Sequence, residues 1–423
     1  MALRLLHLAD THIGVETYGR IDPATGRHTR LQDFADSLNK AVDLGLDAKV
    51  DACLFAGDAY RTCYPSPTHQ QVFAAAMGRL VAAGVPIVMV AGNHDLPVAF
   101  GRATSLDIFK TLTGERVQVA TRPGLCRVET AAGPLQVACL PWPTMAVLRA
   151  ADQAVSRTDD ETRRELERLC EEAIASQAAE LDAAVPAVLL GHITAADAVF
   201  AGSEQVALRG GDVTLSRGVL ANSRFDYVAL GHIHRFQDLN QGHRPAVVYP
   251  GSIDRIDFAE ANDPKGVCLV TIGDGASPAE RETRYEHCLL PVRPFLPISL
   301  AVPPEAEITP WMTARLAPLR LDGAVVRIRY SCTDEQYGNL DLPEVRRAVD
   351  WAHLVAGVIR ERPRQEVRPR VEVTEQQTVA EALARYLDTR PELQPWREDL
   401  VALSAEIERE LTASEAEAEE PAG

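Results

Sequence analysis

Eight short apolar runs recur through the first 290 residues of this 423-residue chain, and each ends at or beside Gly, Pro or Asp. They are rich in Val, Leu and Ile and have the length of a strand, as is typical of strands buried on both faces. The runs are "RLLHLA", "VDACLFAG", "VPIVMVAG", "LQVACLP", "AVLLGH", "FDYVALGH", "PAVVYPG" and "GVCLVTI".

Helical patterns lie between some of these runs, notably over residues 66–83 and 160–183. Ser66 suits the start of the first helix, and Gly84 suits its end. Strands and helices that alternate around apolar runs predict an α/β domain.

Composition favours a soluble, reduced protein. The N-terminus lacks a basic segment followed by a long apolar stretch, and no window resembles a membrane span. The eight cysteines are scattered and form no C-x-x-C pair, so we expect free thiols and a cytoplasmic location.

The formal net charge of −17 at first argues against a nucleic-acid partner, because phosphate backbones attract Lys and Arg. The charge is uneven, however, since residues 371–423 carry 14 acids and four arginines, whereas residues 293–370 are slightly basic. The overall charge therefore does not decide the partner.

Polar motifs follow five of the predicted strands, where ligand sites of open α/β sheets usually lie. They contain seven candidate donors: Asp10 and His12, Asp58, Asn93, His192, and His232 with His234. Residues i and i+2 of an extended chain point to the same side, so each pair can address one point.

This set of carboxylates, imidazoles and one amide suits Mn²⁺, Fe²⁺ or Mg²⁺-like ions better than a structural zinc. Seven donors are too many for one ion but fit two ions that share a bridging carboxylate.

The order D-x-H, G-D, G-N-H-D, G-H, G-H-x-H resembles the calcineurin-like metallophosphoesterases. The longer segments "GNHDLPVAFGRATSLDIF" and "YPGSIDRIDFAEANDPKG" are similar to the SbcD family, the nuclease subunits of bacterial SbcCD complexes. The resemblance in sequence covers roughly residues 1–290, and the remainder of the chain resembles the family only in its layout of elements. It implies a four-layer α/β metallophosphoesterase sandwich, a small α+β cap domain and a C-terminal helical arm.

The resemblance also assigns the ligands of two Mn²⁺ ions. One ion would be held by Asp10, His12, Asp58 and His234. The other would be held by Asp58, Asn93, His192 and His232, so Asp58 bridges the two.

Three further residues receive roles from the resemblance or from a departure from it. His94 would face the scissile phosphate as general acid or transition-state stabiliser, and Asp95 would fix an imidazole. Many family members carry a histidine three residues after the bridging aspartate, where this chain has Arg61. An arginine can bind a phosphate but cannot shuttle a proton near neutral pH, so Arg61 is either a DNA contact or a surface arginine on a loop.

The expected organisation is a nuclease domain over 1–288, a cap that recognises DNA over 289–373, a helical arm over 374–414 and a disordered acidic tail over 415–423. The arginine-rich segment 358–370 is either a further DNA contact or a solvated surface. Within the cap, we expect strands over 324–332 and 366–373 with a helix between them.

Two apolar surfaces suggest partners. The resemblance implies that the helices over 66–83 and 103–112 form a homodimer interface; the alternative is that they pack only on their own sheet. The arm carries an apolar stripe at helical spacing on an otherwise acidic helix. This stripe either folds back on its own domain or, as we expect from the resemblance, docks on an SbcC-type coiled-coil ATPase. The stripe consists of Trp396, Leu400, Leu403, Ile407 and Leu411.

The expected function is Mn²⁺-dependent hydrolysis of DNA phosphodiesters, as a 3′–5′ exonuclease and single-strand endonuclease in double-strand-break and hairpin processing. Two alternatives stay open: a metallophosphoesterase that acts on phosphoproteins or small nucleotides, and a non-catalytic DNA-end scaffold.

Overall fold

Two six-stranded sheets pack face to face in a computed structural model that describes residues 2–97, 102–144, 158–202, 212–361 and 378–418. The chain divides into two compact units, residues 1–359 and 360–423. Both sheets belong to the first unit.

The first sheet has the order β14-β13-β1-β2-β3-β4. Strands β1 to β4 run parallel to one another, whereas β13 returns antiparallel to β1 and β14 pairs antiparallel with β13. The strands are β1 (Leu3–Leu8), β2 (Ala52–Phe55), β3 (Ile87–Val90), β4 (Val117–Ala120), β13 (Gly266–Ile272) and β14 (Thr283–Leu289).

The second sheet has the order β11-β12-β10-β7-β6-β5, with a parallel centre and an antiparallel strand at each edge. Its strands are β5 (Gly124–Thr130), β6 (Gly133–Leu140), β7 (Ala187–His192), β10 (Tyr227–Gly231), β11 (Gln237–Asp238) and β12 (Ala246–Tyr249). A short separate pair consists of β8 (Thr194–Ala195) and β9 (Thr214–Leu215).

Helices cover the outer face of each sheet. The helices on the first sheet are α1 (Thr29–Asp47), α2 (Pro67–Ala82) and α3 (Asp107–Thr113), and those on the second are α4 (Asp159–Glu180) and α5 (Arg217–Leu220). Helix α2 begins after Ser66, whose hydroxyl accepts the amide of His69, close to the predicted start.

Three apolar cores hold these layers together. Alternate residues of β1 show why its run is continuously apolar: Leu5 faces the second sheet, whereas Leu6 and Leu8 pack under the outer helices. A third core lies between the second sheet and α4. The order helix, sheet, sheet, helix confirms the predicted four-layer α/β sandwich.

A buried ion pair joins the two sheets at the amino end of β10. Arg281, just before β14, donates through Nε to Asp226, just before β10, at 2.9 Å, and both side chains are inaccessible to solvent. The guanidinium also donates to the Ala183 and Gly275 carbonyls. Each polar group of this pair is therefore satisfied inside the protein.

A smaller α+β segment follows β14. Its sheet has the order β15-β16-β17, from β15 (Phe295–Ala301), β16 (Val325–Ser331) and β17 (Leu354–Arg360). Its helices are α6 (Ile308–Leu316), α7 (Asp334–Gly338) and α8 (Leu342–Arg347), and it has its own apolar core. Arg293 joins it to α1 by a bidentate ion pair with Asp33.

The predicted helix between the cap strands was wrong in its second half. Helix α8 ends at Arg347, and residues 354–360 form β17 at the edge of the cap sheet instead. Val355, Val358 and Ile359 are β-branched and fit a strand, and the neighbouring sheet supplies the backbone partners that a helix would have to provide itself. The predicted strand over 366–373 and most of the segment 358–370 lie outside the described residues.

The second unit contains α9 (Val379–Asp388), a 3₁₀ turn at Pro391–Trp396, and α10 (Arg397–Ala418). Each of the two α-helices packs against the other and against the turn. Within the described parts of the chain, no helix has both the length and the apolar character of a membrane span.

Candidate metal centre

The predicted donors lie at the carboxyl ends of strands in both sheets. The first sheet provides Asp10 and His12 after β1, Asp58 after β2 and Asn93 after β3, and the second provides His192 at the end of β7 and His232 and His234 after β10. The structure brings all seven together at the junction between the sheets.

One group of donors surrounds the Nε2 atoms of His12 and His234, which lie 3.0 Å apart. Asp58 Oδ2 lies 3.7 Å from His12 Nε2, and one ligand atom each of Asp10, His12 and His234 lies within 4.8 Å of the others. These four residues are those expected to share one ion.

A second group surrounds the side-chain oxygen of Asn93. His192 Nε2 lies 3.0 Å from that oxygen, and His232 Nδ1 lies 3.2 Å from it. Asp58 Oδ2 is 3.5 Å from His192 Nε2, so Asp58 contacts both groups. Oxygen and imidazole donors without thiolate, gathered within a few ångströms, fit divalent ions such as Mn²⁺ or Fe²⁺.

Unusual backbone conformations turn these side chains inward. Among the described residues other than glycine, six have a left-handed φ, and four of the six are donors: Asp10, His12, Asp58 and His232, at 51°, 40°, 58° and 99°. Such conformations are costly for residues with a Cβ and persist only where the surroundings impose them. Backbone strain is therefore concentrated at this site.

Two motif glycines provide space. A Cβ on Gly92 would lie 2.1 Å from Asp58 Oδ1, and a Cβ on Gly231 would lie 2.0 Å from the Ala56 carbonyl oxygen. Gly231 belongs to the second sheet and Ala56 follows a strand of the first. Without a side chain at residue 231, the two backbones can approach closely enough to bring the donors within reach of one another.

The electrostatics of the cluster follow from deep burial and mutual contact. Burial raises the pKa of Asp10 to about 7, with the nearby imidazoles opposing the rise. Burial would also raise the pKa of Asp58, but His192 and His12 hold it well below its ordinary range. Burial alone would lower the pKa of His192, but Asp58 raises it to about 9. The imidazoles thus stabilise the Asp58 carboxylate, as divalent ions would.

His94 lies at the edge of the cluster. Its ring centroid is 5.0 Å from that of His12, and its amide donates to Asp58 Oδ1 at 2.9 Å. Its Nδ1 lies 3.0 Å from the Arg61 carbonyl oxygen, so Nδ1–H can donate there and leave Nε2 as the other functional nitrogen. Burial lowers the pKa of His94.

Asp95 contacts backbone rather than an imidazole, and in this respect the expectation was wrong. Its carboxylate accepts the amides of Asp58 at 2.8 Å, Gly92 at 2.9 Å and Ala59 at 3.0 Å. Burial raises the pKa of Asp95 to about 7. Asp95 thus joins the loop after β2 to the loop after β3 and supports the left-handed conformation of Asp58.

Arg61 is exposed beside His94. Its Nη1 lies 3.5 Å from His94 Nδ1, and its amide donates to the Ile13 carbonyl. The backbone is thereby anchored next to the donors while the guanidinium lies at the solvent side.

Sequence reasoning missed three side chains that contact the donors. Trp142 lies against His232 with ring centroids 4.7 Å apart, Asp212 Oδ2 lies 3.5 Å from His232 Nε2, and Glu260 contacts His234 Nδ1 at 3.0 Å. Only Glu260 lies in a segment that was similar to a known family, "YPGSIDRIDFAEANDPKG". All three are brought to the site by tertiary folding.

Comparison with known proteins finds a matching family profile and similar sequences. The sequence profile of the calcineurin-like phosphoesterases matches residues 3–236. The chain is 30% identical over 299 residues to the SbcD subunit of the SbcCD nuclease of Bacillus subtilis, covering 70% of this chain and 71% of that protein. It is also 30% identical over 295 residues to the corresponding SbcD subunit of Rhodobacter capsulatus, covering 65% and 68%.

Among solved structures, the chain is similar to a dimetal phosphatase from Danio rerio. The match has 12% sequence identity and a TM-score of 0.37, and it covers 66% of this chain and 98% of the other.

The metal centre can be tested by counting bound ions. Asp58→Ala should lose both Mn²⁺ ions, because Asp58 contacts both donor groups, whereas His232→Ala should lose chiefly one. Metal analysis of the purified protein, after loading with Mn²⁺ and removal of excess ion, measures the ratio. The control is His243→Ala, an exposed histidine outside the cluster. Equal metal content in wild type and Asp58→Ala would contradict the two-ion arrangement.

Proposed function

Because the chain belongs to the calcineurin-like phosphoesterase family, and within it to the SbcD nuclease subunits, we propose that it is a metal-dependent DNA nuclease of the SbcCD type. The substrate is a DNA phosphodiester, cut as a 3′–5′ exonuclease and as a single-strand endonuclease during double-strand-break and hairpin processing. The observation that carries the proposal is the convergence of the seven donors into two adjacent groups that Asp58 links, with His94 and Arg61 beside them.

The proposed cofactors are two Mn²⁺ ions. Asp10, His12, Asp58 and His234 would hold one, and Asp58, Asn93, His192 and His232 would hold the other. When bound, such ions would polarise the phosphate and activate water as the nucleophile. The buried surroundings strengthen these charge interactions because bulk water is excluded.

His94 acts on the leaving group. Its Nδ1–H donates to the Arg61 carbonyl, which fixes the ring orientation. In the protonated imidazolium form Nε2 also carries a proton, and His94 gives that proton to the departing oxygen and becomes neutral. A group that transfers a proton in this way need not bind metal to be required for cleavage. Asp95 supports the reaction indirectly, by holding the loop that carries Asp58.

Arg61 binds the DNA backbone near the cut. Its guanidinium is exposed, close to His94, and has no carboxylate partner among the described residues. An arginine in this position can donate two hydrogen bonds to one phosphate group. It would therefore contribute affinity and positioning, while proton transfer stays with His94.

The helical arm is proposed to dock on an SbcC-type coiled-coil ATPase. Trp396, Leu403 and Ile407 are 56%, 53% and 48% exposed, although α9 packs against α10. Apolar side chains at this spacing are suited to the groove of a partner helix. The acidic residues around them favour a basic partner surface.

A homodimer is proposed through α2 and α3. Ile108 and Leu112 on α3 are exposed, although Phe109 of the same helix is buried against the first sheet. Such exposed apolar side chains suit a second copy of the chain. The proposed location is the cytoplasm, where the eight free cysteines would stay reduced.

The nuclease proposal is tested with labelled duplex and hairpin DNA, Mn²⁺ and the His94→Ala variant. The wild type should cut DNA, and His94→Ala should be slower by about 10²–10⁴-fold, because a general acid typically contributes that factor. Metal content and DNA affinity should stay close to wild type. A wild type that cleaves small phosphomonoesters but not DNA would contradict the proposal, and a nearly full rate in His94→Ala would contradict the role of His94.

The contribution of Arg61 can be measured as the salt dependence of DNA binding. Arg61→Ala should weaken binding and reduce the slope of log affinity against log salt by about 0.7–0.9, the value for one lost phosphate contact. Fluorescence anisotropy at several salt concentrations gives the slope. Arg284→Ala is the matched control, because Arg284 is an exposed arginine on β14 away from the donors. Its neighbour on β13 is Thr271, which lies opposite Arg4 at the amino end of β1, whereas the donors follow the carboxyl end. An unchanged slope in Arg61→Ala would leave Arg61 as a surface residue.

Docking of the arm can be tested in the full-length chain. Leu403→Glu combined with Ile407→Glu should abolish co-purification with the ATPase, because charged side chains cannot be buried in an apolar groove. Both positions are exposed, so helix content and metal binding should not change. Ala402→Glu adds one glutamate at an exposed position outside the stripe and should still co-purify. Undiminished binding by the double variant would exclude the stripe as the docking element.

A further inference from the structure

A fully buried ion pair lies directly behind the candidate metal centre. Glu260 Oε2 is 2.8 Å from Lys265 Nζ, and both side chains are inaccessible to solvent. Lys265 also donates to Ser252 Oγ at 2.8 Å and to the His234 carbonyl at 2.9 Å. The three protons of the ammonium group are thus all used, each on a different acceptor.

The other oxygen of this carboxylate contacts a candidate ligand. Glu260 Oε1 lies 3.0 Å from His234 Nδ1, on the opposite side of the ring from Nε2, which faces His12. Glu260 Oε2 accepts the amide of Ile256 at 3.0 Å in addition to the contact with Lys265. The two oxygens therefore have different partners: Oε2 accepts hydrogen bonds from Lys265 and the Ile256 amide, and Oε1 faces the imidazole of His234.

This arrangement selects one tautomer of His234. A carboxylate can only accept a hydrogen bond, so the proton of a neutral imidazole lies on Nδ1. Nε2 then carries a lone pair directed at the donor cluster. A ligand imidazole whose second nitrogen donates to a carboxylate is held in orientation and is a stronger metal donor.

We propose that Glu260, held in place by Lys265, is a positioning residue that fixes His234 as an Nε2 donor to the ion shared with Asp10, His12 and Asp58. The inference rests on the metal centre of the proposed function and goes beyond it by assigning a role to two residues outside the donor set. Glu260 acts through His234 and does not itself contact substrate.

A purely structural role explains the pair less well. A buried ion pair gains little stability over apolar side chains of similar volume, because removing two charges from water offsets their attraction. The same enclosed space could have been filled by apolar residues, as the neighbouring core is. The carboxylate and ammonium are instead matched atom by atom to the Nδ1 and the carbonyl of one candidate ligand.

The test is Glu260→Gln, which keeps size and shape but replaces one oxygen with a donor. Lys265 and Ile256 both donate to the Oε2 position, so the amide oxygen should occupy it and the NH₂ group should face His234. The Nδ1 atom must then accept, which places the proton on Nε2 and directs it at the ion. We expect Mn²⁺ affinity at one of two sites to fall by about 10–100-fold, as for other disrupted outer partners of ligands.

The measurement is a calorimetric Mn²⁺ titration of metal-free, full-length protein, with nuclease kinetics at low and saturating Mn²⁺ alongside. The second ion should bind as in wild type, and saturating Mn²⁺ should restore much of the kcat. Asp226→Asn is the matched control, because Asp226 is an equally buried carboxylate beside a cation, Arg281, away from the donors. It should bind two ions with wild-type affinity.

Each outcome is decisive. Two ions bound with wild-type affinity by Glu260→Gln would overturn the proposal, and so would an equal loss of affinity in Asp226→Asn, since that would indicate general destabilisation.

If Glu260→Gln does not fold, a second measurement replaces it: the ¹⁵N chemical shifts of labelled histidine in the metal-free wild type. The His234 signal is assigned by comparison with His234→Gln. A proton on Nε2 rather than Nδ1 would then overturn the proposal. Failure to cut DNA, together with the expected metal binding, would reject the proposed function and leave this inference intact.

Discussion

The close approach of two sheets at the carboxyl ends of their strands is the constraint on which the rest of this structure depends. His192 Nδ1, in the second sheet, lies 2.6 Å from the Ala56 carbonyl that follows β2 in the first, and the His232 amide donates to the Asp10 carboxylate at 3.1 Å. Neither contact could form with a side chain at residue 231. Left-handed conformations at the donors complete the arrangement, because a strand that continued straight would carry its side chains past the junction.

Gathering ionisable groups in a buried space requires that each charge have a partner. Asp58 and His192 satisfy one another, which holds the pKa of the carboxyl down and raises that of the imidazole. Glu260 lies between His234 and Lys265, and Asp95 accepts three backbone amides. The donors are therefore surrounded by a second layer of polar groups that fixes their orientation before any ion binds.

Much of the α/β layering and of the donor set could be predicted, because both depend on local pattern. Apolar runs of strand length end at the donors, and parallel strands bring their carboxyl ends to one edge. What could not be predicted depends on tertiary contact. The resemblance implied that Asp95 holds an imidazole, but in the folded chain its carboxylate accepts three backbone amides. Glu260 is 26 residues from His234, and nothing in the spacing indicates that they meet. Residues 354–360 contain both helical and strand signals, and the edge of the cap sheet decides between them.

The position of β1 has a consequence for how the chain can fold. Although β1 is the first strand of the chain, it lies inside its sheet, between β2 and β13. One edge of β1 therefore lacks its final partner until residues 266–272 are available, and the contacts that complete the sheet join residues more than 250 positions apart. Contacts of such long sequence separation form slowly, because a large loop must close first. The donor cluster also depends on long-range contacts, since His12 and His234, which meet in it, are 222 positions apart. A ribosome-bound chain consequently cannot complete its donor set until residue 234 has been synthesised, and the Glu260–Lys265 pair that contacts His234 emerges later still.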